Sequence, residues 1–482
     1  RKLERRTYVN STTILILVAT VAVIALTLIP TYIISGRKKT TQADWEVADR
    51  NLPLYVVIGT QFASEMGGGI LVAHVGNAYA RGIGHFIYGV LASLPFIIIM
   101  VLAKWLRRNN FTTIPDVLAH FTNGNKLIRI VAGVMTVFVP FGWVTSQITA
   151  FGNIYSNLTG IDYTLLCVLF AVFALAFVMP SGLKTVAWTD FIFSCFMIVM
   201  CIVCVVFVTV MGGGVSNIVS NLNTIDPSML SFSSSITDNI GVATCMLWIF
   251  AVLPGGMTNQ IYFQRVCAIK EEKQVNKSLI LSGALSLLSF VWAIYMGLSL
   301  RSLNIAEIAN GPTAWFMGKL PIGVMALFAA LVFATLMSTT SSGVQTSVTN
   351  ITRDIISTIN PNIPDRKMVT ISRVLSAVLM AIALLMCLVW TDTLNWLTNT
   401  YAYSAAALAC PVFLSYGLRN KHFITTPGIV AGMVFGLVGC AVAQIMKTSL
   451  NFAFIGILVS AVAMVIVSAA TKKKGTIVAD AE

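Results

Sequence analysis

The stretch ASEMGGGILVAH, Ala63 to His74, decides how this chain is read. It lies inside an apolar run long enough to cross a membrane, yet it carries a carboxylate at Glu65 and three successive glycines, Gly67, Gly68 and Gly69. Glycine weakens a helix and leaves its peptide groups accessible. An ionisable group inside a bilayer is costly and functional by default. Glycines in membrane helices also serve close helix packing, so the stretch acquires meaning only beside the rest of the chain.

Composition sets the class. Of 482 residues, 57% are hydrophobic and 10% charged, and apolar stretches of twenty or more residues recur. Such a chain cannot bury its apolar surface in one water-soluble core, which makes it an all-α polytopic membrane protein. The first apolar run, Tyr8 to Ile34, has no small-residue cleavage site and is long enough to span, so it reads as a retained helix. The nine cysteines are scattered through apolar runs as reduced packing residues. A net charge of +13 could suggest nucleic acid, but the basic residues sit at helix ends and argue for a bilayer instead.

The hydropathy pattern predicts about thirteen spans, near 9–35, 52–79, 83–105, 128–155, 162–181, 186–211, 238–263, 278–302, 321–349, 369–390, 394–417, 424–446 and 450–470. The loops GRKKT, KWLRR, QRVCAIKEEKQVNK, TRD, DRK, LRNKH and TKKKG all fall on one side, which is then cytoplasmic. This places the N-terminus outside and the C-terminus inside, with the basic opening RKLERR outvoted. A surface helix is expected over TTIPDVLAHF and a Ser/Asn-rich external loop over 212–237.

A second interrupted span occurs at WIFAVLPGGMTNQIYFQR, where Pro254, Gly255 and Gly256 are expected to hold unwound backbone. The breaks fall in the second and seventh spans. The chain therefore divides into a leading helix with its loop (1–51), a five-helix unit (52–212), a loop (213–237), a second five-helix unit (238–417) and two trailing helices with a tail (418–482). An odd repeat length inverts the second unit relative to the first, and inverted-repeat transporters place broken helices at matching positions around a midplane site. A third stretch, LVFATLMSTTSSGVQTSVTNITRD, puts Ser338, Thr339, Thr340, Ser341 and Ser342 in the middle of the ninth span. At helical spacing Ser338, Ser341 and Ser342 share a face, as do Thr335, Ser338 and Thr339. Hydroxyls and carbonyls are hard ligands suited to a hard cation such as sodium; alternatively, they bond back to their own helix.

ASEMGGGILVAHVGNAYARG, TTIPDVLAHF, SGLKTVAWTDFIF, MTNQIYFQRVCAIK and LMSTTSSGVQTSVTNITRD, in that order, resemble the sodium:solute symporters, carriers of proline, sugars, sialic acid and pantothenate. The resemblance covers essentially the whole chain. It implies a LeuT-type 5+5 inverted repeat and sodium as co-transported ion. It further implies a main sodium site from the carbonyls of Ala63, Met66 and Thr335 and the hydroxyls of Ser338 and Thr339. The sialic acid branch implies a second site at Asp190, Ser338, Ser341 and Ser342; Asp190 could instead line the inner exit or pair with Arg265 as a gate. Glu65 stands where the proline carriers have an aspartate, with a cation, a proton or His74 as its candidate partner.

Solute-lining candidates are Glu65, Gly68, Gly69, Gln147, Trp248, Gly255, Gly256, Asn259, Gln260 and Tyr401, with Trp248 either a lid or a packing residue. No Arg or Lys lies mid-span near either break, which argues against a dianion, and the third span offers only His85, Tyr88 and Ser93 where a sugar carrier would place an acid. The expected solute is small and amino-acid-like, with an organic acid or a sugar as alternatives. His74, His85, His120 and His422 form no metal motif and no catalytic constellation is visible, so no enzyme and no transition metal is expected. A solute sensor on the same scaffold would need an output domain, which is not expected after TKKKG, and a passive channel would show flux uncoupled to solute. The expected setting is the bilayer of a bacterial inner membrane, with no nucleic acid and no required oligomer.

Overall fold

A computed structural model of the chain describes residues 11–35, 40–180, 182–389, 393–448, 450–472 and 477. The basic opening RKLERR, most of the GRKKT loop and most of TKKKG lie outside the described residues. In chain order the helices are α1 (Ser11–Ser35), α2 (Gln42–Val47), α3 (Leu54–Glu65), α4 (Val75–Arg81), α5 (Phe86–Arg108), α6 (Ile114–Phe121), α7 (Lys126–Thr159), α8 (Tyr163–Val178), α9 (Leu183–Met211) and α10 (Val215–Ile225). They continue as α11 (Val242–Met257), α12 (Gln260–Ala268), α13 (Val275–Arg301), α14 (Pro312–Lys319), α15 (Ile322–Asn350), α16 (Asp365–Val389), α17 (Thr393–Ser404), α18 (Cys410–Leu418), α19 (Thr426–Ile445) and α20 (Phe452–Thr471). Extended pairing among the described residues is limited to one bridge, Leu52 with Ile269.

Among the described residues, eleven helices are long and apolar enough to cross a membrane, and the bent pair α3 and 69–81 makes a twelfth span. The predicted fifth span is the 16-residue apolar helix α8. Apolar side chains on the outer helices face outward in bulk, with Leu26 at 70%, Val101 at 68% and Val210 at 72% exposed. Only hydrocarbon makes such a surface tolerable, and the chain is an integral membrane protein. Its centre is α15, where every residue from Phe328 to Asn350 is buried. Chemistry-bearing residues of that helix therefore face other helices rather than lipid.

Helix starts follow local signals. Asn125 caps α7, Asp162 caps α8, and Asn451 caps α20, each through its side-chain oxygen. Two expectations are corrected here. TTIPDVLAHF is no surface helix: a capping box between Thr113 and Asp116 starts α6, and Ile114, Val117, Leu118 and Phe121 are all buried. The 212–237 loop contains the amphipathic helix α10, whose Ile218 and Leu222 pack with Ala78, Met229 and Ile294.

The end of the bundle carrying the basic loops is tied shut. Arg50 donates to the carbonyls of Phe111 at 3.0 Å and Cys267 at 2.9 Å. Arg353 spans from Glu46 on α2 at 2.8 Å to Asp116 on α6 at 2.7 Å, and Arg129 of α7 pairs with the same Asp116. Burial pushes the Asp116 carboxyl up, but Arg353 and Arg129 outweigh it and hold the group below the ordinary 3.8. Glu46 is fully enclosed, and there burial prevails over Arg353, so its carboxyl is raised.

Candidate functional site

The break predicted at the glycines is present. Helix α3 ends at Glu65, Met66 leaves helical geometry, and the chain resumes as a wide turn over Gly69–His74, bent by 51° from α3. Gly67 and Gly68 are demanded by close approach. A Cβ on Gly67 would stand 2.7 Å from Thr339 Oγ1, and one on Gly68 would stand 2.5 Å from Leu336 Cδ2. Gly69 has open space instead. The packing reading and the site reading of the glycines thus hold at neighbouring positions.

This approach brings α15 onto the end of α3. The Thr339 hydroxyl lies 3.0 Å from the Ser64 carbonyl and 3.1 Å from the carbonyl of Thr335. Ala63, Met66, Thr335, Ser338 and Thr339 are all buried around this point. One turn away, Asp190 of α9 accepts from Ser338 at 2.6 Å, Thr60 at 2.6 Å and Ser342 at 3.0 Å. Ser342 also accepts from Ser64 at 2.9 Å and from Arg265 at 2.6 Å. Asp190 and Arg265 therefore communicate through one hydroxyl. Ser341 stands apart, since its hydroxyl returns to the Ser338 carbonyl of its own helix at 3.0 Å. Thr60 and Ser64 were not singled out by sequence, although their i, i+4 spacing before the break marks a shared polar face.

Glu65 finds a partner no local pattern could supply: Tyr262 of α12 donates to its Oε2. A cavity of 40 Å³ opens beside it, lined by Glu65, Gly67, Gly69, His74, Tyr88, Trp143, Gln147, Thr339 and Tyr401 among others. The Gln147 amide oxygen accepts from Gly68 N at 2.6 Å, and Trp143 donates to the Tyr401 hydroxyl at 3.1 Å. Through Gly69 and Leu397 the cavity adjoins one of 100 Å³, and through Val72, Asn153 and Ile154 that adjoins one of 260 Å³ at α14. These neighbouring cavities lie away from the end that carries the Arg353 and Arg129 ion pairs.

The second break differs from expectation. Pro254, Gly255 and Gly256 are helical, and α11 stops only at Thr258–Asn259. The glycines are contact positions: a Cβ on Gly255 would lie 2.7 Å from Tyr401 Cδ1, and one on Gly256 2.5 Å from Pro95 Cγ. Asn259 caps α12, accepting from Ile261 N at 3.0 Å. Gln260 belongs to the tied end, bonded to Ile114 N at 2.9 Å and the Thr112 carbonyl at 3.0 Å. Trp248 packs behind the cavity, edge-on to Tyr88 at 5.3 Å. Gly255, Gly256, Asn259, Gln260 and Trp248 therefore do not line the cavity, whereas Tyr88, Trp143 and His74 do.

Comparison with known proteins agrees with this architecture. The chain is 23% identical over 451 residues to the sodium/glucose cotransporter of Vibrio parahaemolyticus, covering 86% of this chain and 82% of that one. It is 23% identical over 418 residues to the high-affinity proline transporter of Bacillus subtilis (strain 168), covering 83% and 86%. The structure of a Na+-coupled sialic acid symporter in its substrate-bound outward-open state superposes with a TM-score of 0.80 at 18% identity, covering 96% of this chain and 98% of that one. MhsT in complex with L-phenylalanine follows at 0.56 and 14% identity, covering 86% and 98%. The sodium:solute symporter family model matches residues 45–436, and with the broken helix, the hydroxyl-rich α15 and the cavity between them in place, the chain belongs to the sodium:solute symporter family.

Proposed function

We propose that the chain couples sodium entry to the import of one small organic solute, amino-acid-like or else an organic acid or sugar, by alternating access. The observation that carries this reading is the joint between the broken helix and α15, where the Thr339 hydroxyl meets the Ser64 carbonyl at 3.0 Å. A cation held by oxygens of both elements would fasten them together, and solute bound in the adjoining cavity would sense that fastening. The main ion site is assigned to the carbonyls of Ala63, Met66 and Thr335 with the hydroxyls of Ser338 and Thr339. Asp190, Ser338 and Ser342, with Ser341 beside them, form the candidate second site. Glu65, Gly69, Gln147 and Tyr401 are retained as solute-facing residues at the 40 Å³ cavity, with Gly68 at the adjoining one of 100 Å³.

With the basic face taken as cytoplasmic in a bacterial inner membrane, the conformation is closed inside and leads outward through the three cavities. One sodium crossing 100 mV supplies about 2.3 kcal/mol. In proteoliposomes loaded with potassium and diluted into sodium, the solute should accumulate against its gradient. Equal uptake with sodium or potassium outside would overturn the reading.

A further inference from the structure

His74 and His85 are the cavity's unassigned chemistry. His74 closes the wide turn after the break and His85 stands just before α5. Folding brings His74 Nδ1 to 2.7 Å from His85 Nε2, with the rings stacked at 5.0 Å. Both are buried, at 4% and 1% exposure. Tyr88 and Phe290 hold the His74 ring at 4.5 and 4.9 Å, and Trp248 braces His85 edge-on at 5.3 Å. His74 lines the 40 Å³ cavity together with Glu65, while His85 Nδ1 is buried without a hydrogen-bond partner.

One hydrogen bond between two neutral imidazoles holds one proton, so the tautomers are linked. If His74 were the donor, the remaining proton of His85 would sit on Nδ1 as an orphaned buried N–H. Orphaned N–H groups are rarer than under-satisfied acceptors. The cheaper arrangement has His85 donating from Nε2 to His74 Nδ1. His74 then carries its own proton on Nε2, the nitrogen left for the cavity that the ring lines.

Resting on the symport reading, we propose that His74 is a specificity-determining residue whose Nε2–H donates to an acceptor oxygen of the solute, and that His85 is the positioning residue that sets this tautomer. The solute class is then a small molecule with an acceptor oxygen, a carboxylate, carbonyl or hydroxyl, at its His74 end. Its other end meets the Glu65 carboxylate, which calls for a donor, an ammonium or hydroxyl group. Amino acids and hydroxylated small molecules satisfy both ends, whereas a purely apolar solute satisfies neither and a dianion meets only the His74 end and is repelled at Glu65.

The decisive measurement is the 15N spectrum of histidine-labelled protein, assigned with His74→Gln and His85→Gln. Four histidines make it tractable. A proton on His74 Nε2 and on His85 Nε2 is expected without any solute present; a proton on His74 Nδ1 overturns the proposal. Uptake of L-proline, D-glucose and N-acetylneuraminate, each in sodium, provides the functional arm. For whichever the parent carries, His74→Phe should raise KM about tenfold or more with a smaller change in kcat, and His74→Gln should restore part of it. His85→Phe should act in the same direction and scramble the His74 tautomer. Unchanged KM in His74→Phe overturns the proposal, whereas sodium-independent uptake by the parent would instead defeat the symport reading.

Discussion

Replacing Asp190 by asparagine removes the acceptor of three buried hydroxyls, Thr60, Ser338 and Ser342, and leaves Arg265 facing Ser342 without a carboxylate behind it. The amide retains one acceptor oxygen, so at least one of the three donors loses its partner. A hydrogen bond to a charged group contributes about 1.5–3 kcal/mol, and removing one member of a buried charge arrangement costs about 3–5 kcal/mol. Both Asp190 and Arg265 have 0% exposure, so solvent cannot compensate. Asp190→Asn and Arg265→Gln should each destabilise by about 3 kcal/mol in denaturant unfolding in micelles with potassium replacing sodium. The double variant should cost less than the sum by at least about 1 kcal/mol, because both act through the Ser342 hydroxyl. Sodium titration of the same variants separates the two roles of Asp190: loss of one bound ion marks a second sodium site, and unchanged stoichiometry marks charge pairing alone. Strict additivity, or single variants within about 0.5 kcal/mol of the parent, would refute the coupled cluster.

Ser338→Ala and Thr339→Ala should each raise the sodium concentration for half-maximal transport while the protein still folds; unchanged sodium dependence in both would return these hydroxyls to helix bonding. Gly255→Ala should lower solute affinity by pressing on Tyr401, and Gly256→Ala should cost about 1–3 kcal/mol of stability against Pro95, with Gly76→Ala of α4, free of steric conflict, as the reference. Equal behaviour of all three in binding and melting assays would contradict the packing described. Asp116→Asn should lower the melting temperature at pH 7. Since the native carboxyl is held below 3.8, the stability it contributes is present above that value and is lost as pH falls through the lower native one. The gap between parent and variant should therefore persist down to pH 4 and close only below it, and a gap that closes near pH 6 would count against this assignment.

What the sequence determined by itself is what depends on neighbours along the chain. Apolar runs define the spans, the Glu65 to Gly69 segment announces the break, and five hydroxyls in a row on α15 announce a polar face buried in a membrane, because one helix period suffices to place them. Even so, the second break moved from Gly255 to Thr258–Asn259, since a Pro-Gly-Gly segment can remain helical where close neighbours press on it. TTIPDVLAHF became a buried helix for a related reason: its capping box is legible locally, but the carbonyls and carboxylates that receive it come from elsewhere. Only tertiary structure could pair Glu65 with Tyr262, gather Thr60, Ser338 and Ser342 on Asp190, set Gln260 into the tied end and lay His74 against His85. These partners come from different helices, most of them more than a hundred residues apart in sequence, and hydropathy carries no information about which polar face meets which. That choice follows from the burial of α15 at the centre, because every polar group turned toward it must find a partner on whichever helix packs there.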